Sequence, residues 1–326
     1  MNGSRSLRHH HPLAPIVAVT VAIGLFATMD ALMKGAAIIT GVFPALLARS
    51  LLGAAVLWPV WRWPVWRRAW RGSGAPRRAW PDAAVMRLHA LRGAVVAGMA
   101  GSYFWGLVRT PLAEAIAISF IAPLIALYLA AVMLGERVRG RAVVGSLVAL
   151  GGVAVIAAGR MGDAGRGADA SWGIAAILGS AVLYAWNLVL QRRQAQLARP
   201  LEVALFQNLF VALALVVTAP AALALGRAPG ELLIPAAAAL PDIAWAALLA
   251  SVSVMLLAWA YARAEAQALV PIEYTAFPWS ALTGWLWFGE AVTGATVGGL
   301  ALILLGVWIG ARGAPSPLPQ AQLPPA

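Results

Sequence analysis

Most side chains in this sequence that can do chemistry sit inside apolar stretches. There an ionised group is costly and marks a functional pathway by default. Asp30 and Arg49 belong to the first two stretches. At 1.5 Å per helical residue they lie roughly 12 and 10 Å below the same end. Equal depth allows an ion pair. It is either a bridge locking the two stretches together or a titratable, cation-contacting Asp30 whose charge Arg49 balances. Lys34, one turn beyond Asp30, is an alternative partner or snorkels outward. Glu273 stands next to Tyr274 and about one turn before Pro278, where a carboxylate can bind a cationic or hydroxylated substrate or take up a proton. Glu114, three residues after Pro111, falls in the first turn of its stretch, a place where the macrodipole favours an acid whatever its role. Tyr103, Tyr184, Trp105, Trp259 and Trp279 offer rings to stack on a substrate or cover a cation. Trp105 and Trp259 lie near the ends of their stretches and read better as interfacial anchors. In the second half, Asn187 and Gln207 stand roughly where Asp30 and Arg49 stand in the first, an amide pair in place of an acid and a base.

No catalytic constellation accompanies these groups. The sequence has no Ser/His/Asp set placed to meet at one surface, no glycine loop ahead of a lysine for phosphate, and no His/carboxylate metal cluster. With no cysteine there are neither disulfides nor thiolate metal sites. The run His9-His10-His11 belongs to a polar tail, and His89 reads as a solvated residue at the start of its stretch.

The elements that must position these groups are helices. The chain is 62% hydrophobic and 11% charged, with mean hydropathy +0.81, far from soluble composition. A span takes about 20 apolar residues, and ten candidates are present: 14–36, 42–61, 89–109, 112–134, 141–159, 172–191, 201–225, 242–262, 267–288 and 294–311. The fold class expected is an all-α polytopic membrane protein. A net charge of +12 raises the question of nucleic acid, but the basic residues follow the spans instead. With the N-terminus cytoplasmic, 18 of the 24 Lys and Arg fall inside, which satisfies the positive-inside rule with both termini cytoplasmic. Trp58, Trp61, Trp63, Trp66 and Trp70 alternate with Arg62, Arg67, Arg68 and Arg71, as expected for rings at headgroup level and arginines on anionic lipid. The Pro-rich tail 313–326 reads as disordered.

The chain also repeats itself at a spacing of 154 residues. Trp105, Arg109 and the run Leu134-Gly135-Glu136 through Gly140 recur as Trp259, Arg263 and Phe288-Gly289-Glu290 through Gly294. Glu136 is followed by Arg137, Arg139 and Arg141, whereas no basic residue follows Glu290 until Arg312. The copies therefore face opposite sides. Five spans per copy, an odd number, enforce that inversion, and inverted repeats are a transporter signature. Domains are expected at 14–159 and 172–312, with a tail at 1–13 and an outer linker at 160–171. Pro123 and Pro278 fall mid-span at near-equivalent positions, one residue off register. Each is expected to kink its helix and leave a carbonyl unpaired, that of Ser119 and of Tyr274. Such carbonyls are tolerated where they face protein or a wet cavity, which puts a cavity between spans 4 and 9. Glycines in spans 3, 5 and 10 let helices approach closely, and Gly-Glu at 135–136 and 289–290 reads as a turn.

The motif Pro-x(11)-Gly-Glu ending span 4, its copy ending span 9, Arg49 in span 2 and the five-plus-five arrangement resemble the EamA-type drug/metabolite transporter superfamily, over about residues 14–312. Met29-Asp30-Ala31-Leu32-Met33-Lys34, Thr110-Pro111-Leu112-Ala113-Glu114-Ala115 and Glu273-Tyr274-Thr275 are similar to the branch containing S-adenosylmethionine and riboflavin uptake carriers. The resemblance implies a substrate cavity at the repeat interface and alternating access by rocking helices. Glu265 stands where the copy of Pro111 would fall, a departure from strict symmetry. The function expected is secondary transport of a small polar or cationic metabolite or drug across a bacterial-type inner membrane, with proton coupling through Asp30 and Glu273. The rival readings are a membrane enzyme acting on a lipid-linked substrate and a non-transporting scaffold. The partners expected are a small-molecule substrate and anionic lipid at the basic inner loops, with a homodimer left open. No nucleic acid and no cofactor are expected.

Overall fold

The computed structural model describes residues 13–70, 80–122, 124–125, 128–129, 140–161, 167–224, 234–264, 269 and 272–311. Among them are ten α-helices and no strand: α1 (Leu13–Thr40), α2 (Val42–Trp70), α3 (Ala83–Leu107), α4 (Leu112–Ser119), α5 (Gly140–Met161), α6 (Gly167–Leu197), α7 (Pro200–Ala224), α8 (Leu240–Tyr261), α9 (Ala276–Phe288) and α10 (Gly294–Ala311). Each expected span overlaps one of them. Pro123, Glu136 and the tails at 1–12 and 312–326 lie outside the described residues.

Six helical stretches are long and apolar enough to cross a membrane: Leu13–Thr40, Val42–Trp63, Ala83–Leu107, Ser171–Leu197, Pro200–Pro220 and Ala237–Tyr261. Their outer surfaces stay apolar. Leu147, Val217 and Trp285 are 64%, 68% and 62% exposed, while Asp30, Arg49, Arg92 and Glu114 are each under 9%. Water would reverse that arrangement, and lipid accepts it, because hydrocarbon does not drive apolar side chains inward. α1 passes into α2 through the single residue Gly41, whose φ of 88° suits glycine and whose N–H closes on the Ala37 carbonyl at 2.9 Å.

The packing carries the repeat. α5 lies against α10, α2 against α7 and α4 against α9, so each of these meets its own copy. The two other large interfaces, α1 with α8 and α3 with α6, exchange when the copies are swapped. Glycines set the closest of these contacts. A Cβ on Gly152 would stand 2.4 Å from the Gly299 carbonyl oxygen, and one on Gly306 would stand 2.4 Å from that of Gly145. The same exchange appears at the helix ends. Arg109 donates to the Trp105 carbonyl at 2.9 Å and lies 3.6 Å over that ring. Arg263 does the same to Trp259, at 3.0 and 4.4 Å. In each case a cation covers the carbonyl end of the dipole.

Two of the expected spans are interrupted where the sequence suggests a continuous helix. α4 stops at Ser119 and turns at Phe120–Ile121, and α9 begins at Ala276 after a turn at Tyr274–Thr275. At both places the hydrogen bonds tighten to three-residue spacing, Ile121 N–H to Ile118 at 3.2 Å and Thr275 N–H to Ile272 at 3.0 Å. Pro278 therefore does not kink the middle of a helix. It occupies the first turn of α9, where its missing N–H costs nothing. The Tyr274 carbonyl is not left free, because Phe277 N–H reaches it at 3.3 Å. The interruptions face each other, Phe120 edge-on to Tyr274 at 4.9 Å.

Gly152→Ala is expected to lower the thermal unfolding temperature of the detergent-purified protein, with overpacking costing about 1–3 kcal/mol. Gly151→Ala, where a Cβ would meet nothing within 4 Å, is expected to leave it unchanged or slightly raised. Equal effects would show that the α5–α10 contact does not depend on close backbone approach.

Candidate functional site

The interruptions of α4 and α9 border a cavity of about 230 Å³ between the repeats. α1 contributes Asp30, α2 Arg49, α4 Ser119, α6 Tyr184 and Asn187, α7 Gln207, and the segment before α9 Glu273 and Tyr274. Eight of the nine residues selected from the sequence thus meet on one space. Glu114 does not line it. Buried in the first turn of α4, it accepts a hydrogen bond from the Thr296 hydroxyl of α10 at 3.2 Å, on a face turned from the cavity.

The partners of these residues differ from the expected ones. Asp30 accepts from Tyr103 of α3 at 3.1 Å and makes no salt bridge to Arg49, although the charge of Arg49 acts on it. Arg49 is instead directed at the Met29 sulfur, 3.5 Å away, and at the Phe104 ring, 5.7 Å from its centroid. Glu273 accepts from Tyr184 at 2.9 Å and from Tyr261. Asn187 and Gln207 do not pair with each other; Asn187 accepts from Arg92 at 3.0 Å. Ser119 donates back to the Ala115 carbonyl at 2.8 Å, a bond that suits a residue next to a helix interruption. Four buried polar atoms on the cavity find no partner among the described residues: Arg49 Nε, Gln207 Oε1, the Tyr274 hydroxyl and Ser280 Oγ. A buried polar atom without a partner costs about 1–3 kcal/mol, so their convergence on one cavity marks a space for a polar solute or water.

Two clusters flank the cavity, and sequence reading missed both. At the end where α1 finishes, Lys34 donates to Glu290, in the α9–α10 turn, and to the Thr110 carbonyl at 2.7 Å. The other Glu290 oxygen accepts the Leu112 N–H at 2.7 Å, capping α4. Gly284 makes room for it, since a Cβ there would lie 2.7 Å from that oxygen. Gly289 does end α9 in the left-handed turn conformation, φ 64°, but Glu290 also ties α1 and α4 to the α9–α10 turn. At the other end Arg92, 3% exposed, donates to Asn187, Gln191 and Gln194 of α6. Gln194 meets His89, which reaches Glu202 of α7 at 3.2 Å. His89 is fully buried and not a solvated terminal residue, because α3 begins at Ala83, well before the expected boundary. The signal that could have found Arg92 is the spacing Asn187, Gln191, Gln194: three amides on one face of an apolar helix.

No curated protein matches the chain. A solved crystal structure superposes with a TM-score of 0.54 at 22% identity, over 92% of this chain and 97% of that one, a likeness of fold. The EamA-like transporter family matches residues 13–158 and 171–311, once for each copy of the repeat. With its two matched repeats, apolar helices and polar cavity between them, this multi-pass membrane chain belongs to the EamA-like transporter family.

Proposed function

We propose that the protein is a secondary transporter that moves a small polar or cationic metabolite by alternating access. Its ten helical segments are ten spans, arranged as two inverted five-helix repeats at 14–159 and 172–312. Both termini are cytoplasmic and the membrane is a bacterial-type inner membrane, with anionic lipid at the basic inner loops. The observation that carries this reading is the convergence of Asp30, Arg49, Glu273 and four unpartnered polar atoms on one buried cavity between the repeats. A scaffold needs no such cavity. An enzyme acting on lipid would gather its polar groups at one interface, whereas these stand at several depths.

In this orientation Lys34 and Glu290 lie on the outer side and hold α1, α4 and the α9–α10 turn together. The cavity is thus latched on that side. Opening outward breaks the Lys34–Glu290 pair and frees the α4 N-terminus, while opening inward leaves both intact. Asp30 and Glu273, each held by tyrosine hydroxyls, are the groups proposed to exchange a proton for substrate.

Three outcomes follow for the reconstituted protein. Asp30→Asn is expected to abolish flux while folded yield and unfolding temperature stay the same; unchanged flux would give Asp30 a purely structural role. Collapsing the proton gradient should stop accumulation, and accumulation that continues removes the proton from the mechanism. Because the chain has no cysteine, Ile116→Cys provides a single reporter on the cavity wall. Adding Glu290→Gln should speed its labelling by a membrane-impermeant maleimide from the outer side roughly tenfold, the factor for a population shift of about 1.4 kcal/mol. Equal labelling rates would mean that the clasp is not a gate.

A further inference from the structure

Arg92 is a buried cation on the cavity whose hydrogen bonds all go to neutral amides. Its three nitrogens donate to three amide oxygens: Nε to Asn187 at 3.0 Å, Nη1 to Gln194 at 2.5 Å and Nη2 to Gln191 at 3.2 Å. No carboxylate among the described residues lies within salt-bridge distance of it. The acid closest along its hydrogen-bond chain, Glu202, is two side chains away, beyond Gln194 and His89. Both terminal nitrogens keep a second N–H. A buried cation surrounded by amides is held in place without being neutralised. The partner that neutralises such a charge is an anion.

α6 places an opposite charge beside it. Tyr184 and Asn187 lie on one face of α6, about 4.5 Å apart along the axis. Tyr184 holds the Glu273 carboxylate and Asn187 holds the Arg92 guanidinium. These ions line the same cavity, yet they form no salt bridge with each other. Exposed Arg192 acts on Glu273 only through its field. An acid and a base held from neighbouring turns of α6, each oriented by a neutral side chain and not paired with the other, form a site with two opposite ends.

We propose that Arg92 anchors an anionic group of the substrate while Glu273 takes a cationic group of the same molecule. The ligand is then a small zwitterion, with a carboxylate and a cationic nitrogen a few bonds apart. This inference rests on the transporter reading and sharpens its substrate class, from polar or cationic to doubly charged. Asn187, Gln191 and Gln194 act as positioning residues, which fix the guanidinium without consuming its charge.

The experiment uses the full-length protein in detergent and compares matched triplets by calorimetry: leucine, phenylalanine and γ-aminobutyrate, each with its carboxamide and its N-acetyl derivative. At least one zwitterion is expected to bind tenfold or more tighter than both derivatives, the scale of a lost charge-assisted hydrogen bond. Gln191→Glu supplies Arg92 with an internal carboxylate at almost no change of shape, so it keeps or strengthens the α3–α6 contact. It should nevertheless erase the preference for the zwitterion over its carboxamide. Arg92→Gln should do the same, and Glu273→Gln should erase the preference over the N-acetyl form. The proposal is overturned if no triplet shows the preference, or if a folded Gln191→Glu protein retains it. Flux into proteoliposomes separates the two readings. Flux of the carboxamide alone leaves a transporter without this site, and Arg92-dependent binding of a zwitterion that is never moved leaves the site without transport.

Discussion

A backbone that leaves the helical pattern at membrane depth needs its polar groups met by protein or by a wet cavity, since hydrocarbon offers nothing in return. Here that constraint applies twice, at Phe120–Ile121 and Tyr274–Thr275, and the two places pack on each other through the Phe120 and Tyr274 rings. Much of the interior follows from this meeting. The ends of α4 and α9 therefore meet at the repeat interface. At its other end α4 is capped from a distant part of the chain, by Glu290. Ser119 and Glu273, next to the turns, are aimed into the space the turns open. The five-helix copies supply a frame in which each main interface is either self-paired or exchanged, so one interruption implies the other.

Charge completes what the backbone begins. Moving an ion out of water costs several kcal/mol even after relaxation, so each buried ion here must be covered. Lys34 and Glu290 cover each other, and tyrosine hydroxyls cover Asp30 and Glu273. Arg49 takes a thioether and a ring, and Arg92 takes three amides. The first pair is closed on itself and works as structure. The others are covered by neutral groups, which leave their charge available to a solute. That difference in covering separates latch from site more clearly than depth or residue type does.

How legible each part was in the sequence follows the range of the interaction behind it. The repeat is plain because glycines, Trp-Arg pairs and Gly-Glu pairs record local requirements that recur wherever the backbone recurs. Asp30, Arg49 and Glu273 stood out because charges are rare within apolar stretches. Their partners did not, since Tyr103 and Tyr261 are ordinary aromatic residues until the fold brings them close. Glu290 passed for a turn marker because Lys34 lies 256 residues away, with no local pattern linking them. Hydropathy sets Arg92 near a membrane face, because its helix starts six residues earlier than hydropathy suggests; Ala83, not His89, is its first residue. Pro278 was misjudged for a related reason. A proline within an apolar run marks either a kink or a helix start, and only the turn at Tyr274–Thr275 decides between them.

The two ends of the cavity are closed by different chemistry, and this bears on the alternation proposed for the protein. An exactly symmetric pair of repeats would make the inward and outward states equivalent, with the same contacts broken in each. In this chain an ion pair secures the end at Lys34, and hydrogen-bonded amides around Arg92 stand at the other. A bistable carrier moves only as far as a ligand binds one state better than the other. A substrate that engages Arg92 and Glu273 changes the electrostatics at the amide end directly and reaches the ion pair only through helix motion. In the proposed mechanism the shared backbone provides two states, and the unequal charges decide which of them the empty protein adopts and which the loaded protein prefers.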